Sequence, residues 1–172
     1  AIKNHPKRNR YVAFHPMWGT ENSGPKSAQR ESFSGRAAVI CDKEDSAEDA
    51  FSLVEKVAKT LEMNTIFMAS EAHDVHTAYI SHISHITSYA LANTVLEKER
   101  EEDTIFQLAS SGFSSTVRLA KSHPEMWVPI FKQNKENVLD VLNEHITQLR
   151  KFKAALEKEN YELLEELIRN AN

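Results

Sequence analysis

From Glu71 to the C-terminus, about a hundred residues contain only three strong breakers, Gly112, Pro124 and Pro129, and strand-type runs disappear. A stretch like that can bury its apolar side chains only as helices, so this half of the chain is expected to be all-α. The first 70 residues read differently. Arg10 to Phe14, Ala37 to Cys41 and Asn64 to Met68 are short runs rich in β-type side chains. Between the last two, Phe51, Val54, Val57, Ala58 and Leu61 recur at helical spacing, with Ser46 and Asp49 placed as an N-cap and its acidic partner. Strand, helix and strand in that order predict a βαβ unit, hence parallel strands. The expected fold class is therefore mixed, with about three strands of an α/β sheet over residues 1–70 and a helical domain over residues 71–172.

Within the helical half the spacing predicts a long helix from about Ser70 to about Lys98, another from about Asp103 to about Ala109, and a third starting at Pro124 and running through Phe131. Leu139, Leu142, Ile146, Leu149, Leu156, Leu163 and Leu167 then follow near heptad spacing, interrupted by Lys153 and Asn160. The stripe serves either as the core of its own bundle or as a subunit interface, and an intertwined homodimer would satisfy both.

Charge narrows the choice of partner. There are 21 basic and 25 acidic residues, a net charge of −4, and no Lys/Arg cluster long enough for a nucleic-acid or membrane surface. No apolar run approaches the ~20 residues that span a bilayer. The single Cys41 lies in the apolar run Ala37-Ala38-Val39-Ile40-Cys41, which suggests a buried structural thiol and a reducing, cytoplasmic compartment. The start, Ala1-Ile2-Lys3-Asn4-His5-Pro6, has neither an initiator Met nor the zones of a signal peptide, so the sequence reads as part of a longer chain.

Three segments carry chemistry. The first, Phe14-His15-Pro16-Met17-Trp18-Gly19-Thr20-Glu21-Asn22-Ser23-Gly24, sets an imidazole, a hydroxyl and a carboxylate on a turn directly after a strand. Open α/β folds bind ligands at such strand ends. The second contains His73, His76, Tyr79, His82 and His85 at every third residue. At ~100° per residue each step drifts back by some 60°, so His82 and His85 share a face near Ser81 and Ser84, whereas His73 should point almost opposite His82. A His pair at i and i+3 can hold a metal, cap or fill a core, or bind an anion. The third, Ser110 to Ser122, offers Arg118 after a hydroxyl-rich turn, bracketed by Val117 and Leu119 and followed by Trp127. An Arg so placed is either a salt-bridged surface group or a partly buried partner for a carboxylate.

In order and spacing these segments resemble the prephenate and arogenate dehydrogenases. His15-Pro16-Met17 with Gly19, Thr20 and Glu21 matches the family's HPM-x-G-[TS]-E run, and His73-Asp74 with Ser81-His82 and His85 matches its H-D…S-H-x-x-H pattern. Gly112, Phe113, Arg118, Ala120, Ser122, Pro124, Met126 and Trp127 match its third motif, although Ser110 and Ser111 replace two glycines. The resemblance implies a substrate, prephenate or arogenate, oxidised by hydride transfer to NAD or NADP with loss of carbon dioxide, with tyrosine as a possible inhibitor. It implies His15 as catalytic base, Arg118 on a substrate carboxylate, and His82, His85, Ser81, Thr20 and Glu21 around the substrate, with no metal. It also implies that residues 1–70 are the C-terminal part of a Rossmann-like nucleotide-binding domain and that residues 71–172 form the substrate-binding and dimerisation domain. The chain's four glycines, Gly19, Gly24, Gly35 and Gly112, have no G-x-G-x-x-G spacing, so the pyrophosphate-binding turn is expected outside it. A non-catalytic helical module that senses an aromatic amino acid is the alternative.

Overall fold

The computed structural model describes residues 2–22, 24–100 and 104–171. Strands β1 (Ala13–Pro16), β2 (Ala37–Cys41) and β3 (Asn64–Met68) form one sheet in the order β1-β2-β3. β2 and β3 are parallel and joined by helix α1 (Glu48–Thr60), which is the βαβ unit expected from the sequence. β1 pairs antiparallel with β2, setting His15 opposite Val39 and Pro16 opposite Ala38. β2 is central and buried from Ala38 to Cys41, as an apolar run covered on both faces should be. Ala38, Ala58 and Met63 make the core of this half, with Phe14, Phe33 and Leu61 packed on it.

Two local expectations are corrected. The first strand begins at Ala13 rather than Arg10, because Arg8–Arg10 close a 3₁₀ turn in which the Tyr11 amide donates to Arg8. Helix α1 takes Ala47 as its N-cap, with no side-chain cap. The Ser46 hydroxyl donates instead to the Tyr11 carbonyl at 2.9 Å, and Asp49 pairs with Arg10, so both side chains tie the helix start to the segment before β1.

The helical half contains α2 (Ser70–Thr77), a π-turn (Ala78–His82), α3 (Ile83–Glu99), α4 (Ser111–Thr116), a 3₁₀ turn (Arg118–Lys121), α5 (Pro124–Gln133), α6 (Lys135–Glu157) and α7 (Tyr161–Arg169). Pro124 opens α5 at its first turn, as anticipated. Of the helix expected over Asp103–Ala109, the first residue lies outside the described residues and the rest forms only a 3₁₀ turn at Phe106–Leu108. The terminal stripe is only partly covered within one chain, with Leu142, Ile146 and Leu167 half-buried. α6 buries Val138, Val141 and Ala155, while Leu139, Leu149, Leu156 and Leu163 remain exposed. No helix among the described residues is long and apolar enough to cross a membrane.

The long helix does run from Ser70 to Glu99, but it is interrupted by the π-turn, where extra donors converge on the preceding carbonyls. The Asp74 carbonyl accepts the Ala78 amide, the Thr77 hydroxyl at 3.1 Å and the Asn134 side-chain amide at 2.7 Å. Thr77 also donates to the His73 carbonyl at 3.0 Å. Donors crowded on these carbonyls compete with the regular ladder and widen the next turn.

Candidate active site

A cavity of about 900 Å³ opens between β1 with its following turn and the helices α2, α3 and α5. That is within the roughly 300–1,000 Å³ usual for small-molecule sites. Strand alternation explains how His15 reaches it: Phe14 turns into the core, and His15 turns the other way, exposed into the cleft. Among the described residues β1 is an outer strand of the sheet, and His15 sits near its carboxyl end. The turn after it contributes Met17, Trp18, Gly19 and Thr20 to the wall, and Trp18 is braced edge-on by Phe33 at 6.0 Å between ring centroids.

From the helical side come His73, Ser81, His82 and His85, and the position of His73 corrects the straight-helix expectation. Nine residues of regular α-helix would set His73 and His82 about 180° apart. An extra residue accommodated in the π-turn shifts the downstream faces by about 100°, which brings both rings to one cavity. The Nδ1 of His15 lies 2.8 Å from Nε2 of His73, whose own Nδ1 lies 3.0 Å from an Asp74 carboxylate oxygen. His76 stays exposed, outside the cavity wall.

Hydrogen bonds set the proton positions on the two buried histidines. His82 Nδ1 accepts from the Asn134 amide at 3.3 Å, which leaves an N–H on Nε2. His85 Nδ1 donates to the Ser81 carbonyl at 3.0 Å and stacks on Trp127 with ring centroids 3.5 Å apart, which leaves a lone pair on its Nε2. Burial lowers the pKa of both below the ordinary 6.5, and His15 moves the same way through burial in the cleft and then the neighbouring His73. Each shift favours the neutral ring near pH 7. No group of three or more metal-ligating side chains comes together among the described residues.

Arg118 begins the 3₁₀ turn after α4 and lines the cavity, and one of its guanidinium nitrogens lies 2.5 Å from Glu21. Glu21 is therefore an ion-pair partner of Arg118 rather than part of the cavity wall. Its own backbone N–H, followed by Arg118, holds its carboxyl below the usual range. Thr20 lines the cavity and folds the turn through its hydroxyl, which contacts the Asn22 carbonyl and amide. The sequence reading missed the convergence of His73, Trp18, Trp127 and Asn134. The adjacent Asp74 was the available signal for His73, but only a helix with a widened turn gives it meaning.

Fold and site together define a class: part of an α/β sheet joined to a helical domain, with a cleft between them lined by imidazoles and one guanidinium. The chain belongs to the prephenate dehydrogenase family, since the family's dimerization domain matches residues 69–170 and its nucleotide-binding domain matches residues 1–67. It is 28% identical to the prephenate dehydrogenase of Bacillus subtilis, over 92% of this chain and 43% of that one. It is also 28% identical to the cyclohexadienyl dehydrogenase of Zymomonas mobilis, over 89% of this chain and 53% of that one. A crystal structure of prephenate dehydrogenase from A. aeolicus in complex with hydroxyphenyl propionate and NAD+ superposes with a TM-score of 0.85 at 29% identity, covering 95% of this chain and 57% of that one. The chain thus spans about half the length of the curated relatives it matches.

Proposed function

We propose that this chain supplies the substrate site, and the adjoining part of the nucleotide-binding domain, of an enzyme that oxidatively decarboxylates prephenate or arogenate, with a homodimer as its working form. The observation that carries this reading is one cavity holding a neutral imidazole on the sheet side, His15, and a guanidinium on the helical side, Arg118. The substrate is a cyclohexadienol with a ring carboxylate, a shape that presents a hydroxyl and an anion at separate points of one ring. Arg118 spends one N–H on Glu21 and has further donors for the substrate's carboxylate. His15 accepts the ring hydroxyl's proton as hydride leaves the same carbon, the carbon–carbon bond to the carboxylate then breaks, and its electrons aromatise the ring. The proton returns to the phenolic oxygen, so the base is regenerated. His82, through its Nε2–H, and Ser81 hold the remaining polar atoms, and Trp127 and Trp18 flank the ring.

The relatives' names and the NAD+ bound in the A. aeolicus structure support a nicotinamide cofactor, NAD or NADP, whose chemistry here is to accept that hydride. No glycine of this chain has the spacing of a pyrophosphate-binding turn, so that contact is not built from these 172 residues, which alone should bind substrate without turning it over. Absorbance assays of NAD and NADP reduction with prephenate and with arogenate, using the protein with its complete nucleotide-binding domain, test the proposal. Turnover with either acid is the expected result. Saturable binding with no reduction of either nucleotide would favour the sensor module instead.

A further inference from the structure

We propose that His73 and Asp74 are positioning residues for His15: acting through His73, the Asp74 carboxylate fixes the His15 proton on Nδ1 and leaves Nε2 bare for the substrate. This rests on the reading of His15 as the base. The argument is one of hydrogen-bond polarity. A carboxylate only accepts, so His73 Nδ1, 3.0 Å from Asp74, must be the donor. With His73 neutral, that proton is its only one, and its Nε2 is then an acceptor. The nitrogen 2.8 Å away, His15 Nδ1, must in turn donate to it. By elimination the lone pair of His15 sits on Nε2, the nitrogen that does not face His73. The two rings meet edge-on, 5.1 Å between centroids at 68°, a geometry that aims an N–H of one at the in-plane lone pair of the other.

The placement has a second consequence. His15 comes from β1 in the sheet, whereas His73 and Asp74 come from α2, so the chain of hydrogen bonds crosses the cleft and makes the base competent only when the two halves are docked. It also gives the π-turn a reason beyond rotation. The Asp74 carbonyl holds Thr77 and Asn134, which pins the residue whose side chain orients His73.

Imidazole-¹⁵N NMR reads the tautomer without substrate or cofactor, so it is independent of turnover. In the unaltered protein His15 should show a protonated Nδ1 and a bare Nε2. His73→Leu should move the proton toward Nε2 and lower kcat by ~10- to 100-fold with KM little changed, as for other partners that orient an imidazole. His73→Gln, whose side-chain carbonyl can accept from Nδ1–H, should restore both the tautomer and most of kcat. Asp74→Ala, a surface change that spares the ring contact, should shift the tautomer in the same direction as His73→Leu. A bare Nδ1 in the unaltered protein, a tautomer unmoved by His73→Leu, or a shifted tautomer with unchanged kcat would each overturn the proposal. The expected tautomer in a protein that oxidises neither acid would leave the relay standing and overturn only the functional reading.

Discussion

At His15 two influences act in the same direction: burial in the cleft and the adjoining His73 both depress its pKa below 6.5. For a base the sign is simple. The neutral, proton-accepting form persists to lower pH than in a free histidine, so the acid limb of kcat/KM should be centred below the ordinary 6.5. A limb centred above 6.5 would contradict the assignment. His15→Asn keeps a group able to hydrogen-bond the ring hydroxyl but cannot take its proton, so kcat should drop ~10²- to 10⁴-fold while KM changes little. Unchanged turnover in the variant would remove His15 from the chemistry. At this scale the sequence was informative. The run from His15 to Glu21 and Arg118 could be singled out because their chemistry is scarce in the chain, and local strand alternation delivers His15 where expected. Glu21 could not be placed, because only the fold reveals that its carboxylate is already committed to Arg118.

Elements hold these residues in register, and helix α3 matters most. Ser88, 1% exposed, donates its hydroxyl to the Thr116 carbonyl at 3.1 Å, and Tyr89 donates to the Ser122 carbonyl at 3.2 Å. These two bonds clamp the 3₁₀ turn that begins at Arg118 against the helix carrying His85. Ser88→Ala should cost about 1 kcal/mol, a fall in Tm of ~2–4 °C for a chain of this size, and should raise KM more than it alters kcat because the guanidinium loses its seat. Thermal melts and steady-state kinetics check both parts, and an unaltered Tm would show that the bond is not a clamp. The βαβ unit and the start of α5 were legible because β-branched runs and Pro124 act locally. The π-turn was not. Ala78 to His82 contains no breaker, and the widening arises from Thr77 and from Asn134, 60 residues from the carbonyl they share. A periodicity argument that assumes 100° per residue therefore placed His73 on the wrong side.

The whole molecule leaves an apolar surface uncovered. Leu149 and Leu156 of α6 are 55% and 56% exposed, Ile168 of α7 is 51%, and Ile80 in the π-turn is 64%. Exposed apolar side chains on helices of a family dimerization domain are what a partner would cover, and two-fold symmetry covers them without leaving an open end. Sedimentation at micromolar concentration should give twice the 19.6 kDa of one chain, with an apolar interface above ~2,000 Å². A single-chain mass would contradict the proposed homodimer. The heptad-like spacing signalled the surface but could not decide what covers it, since the same leucines serve a bundle core or a partner. The central claim, that one cavity receives the hydroxyl and the ring carboxylate of a six-membered ring acid, is tested most directly by calorimetric titration with prephenate, which carries both groups. The account expects one saturable site per chain near pH 7, weakened about tenfold to a hundredfold by Arg118→Ala, as loss of a charged hydrogen bond of roughly 1.5–3 kcal/mol requires. No saturable binding, or binding equally tight in Arg118→Ala, would contradict it.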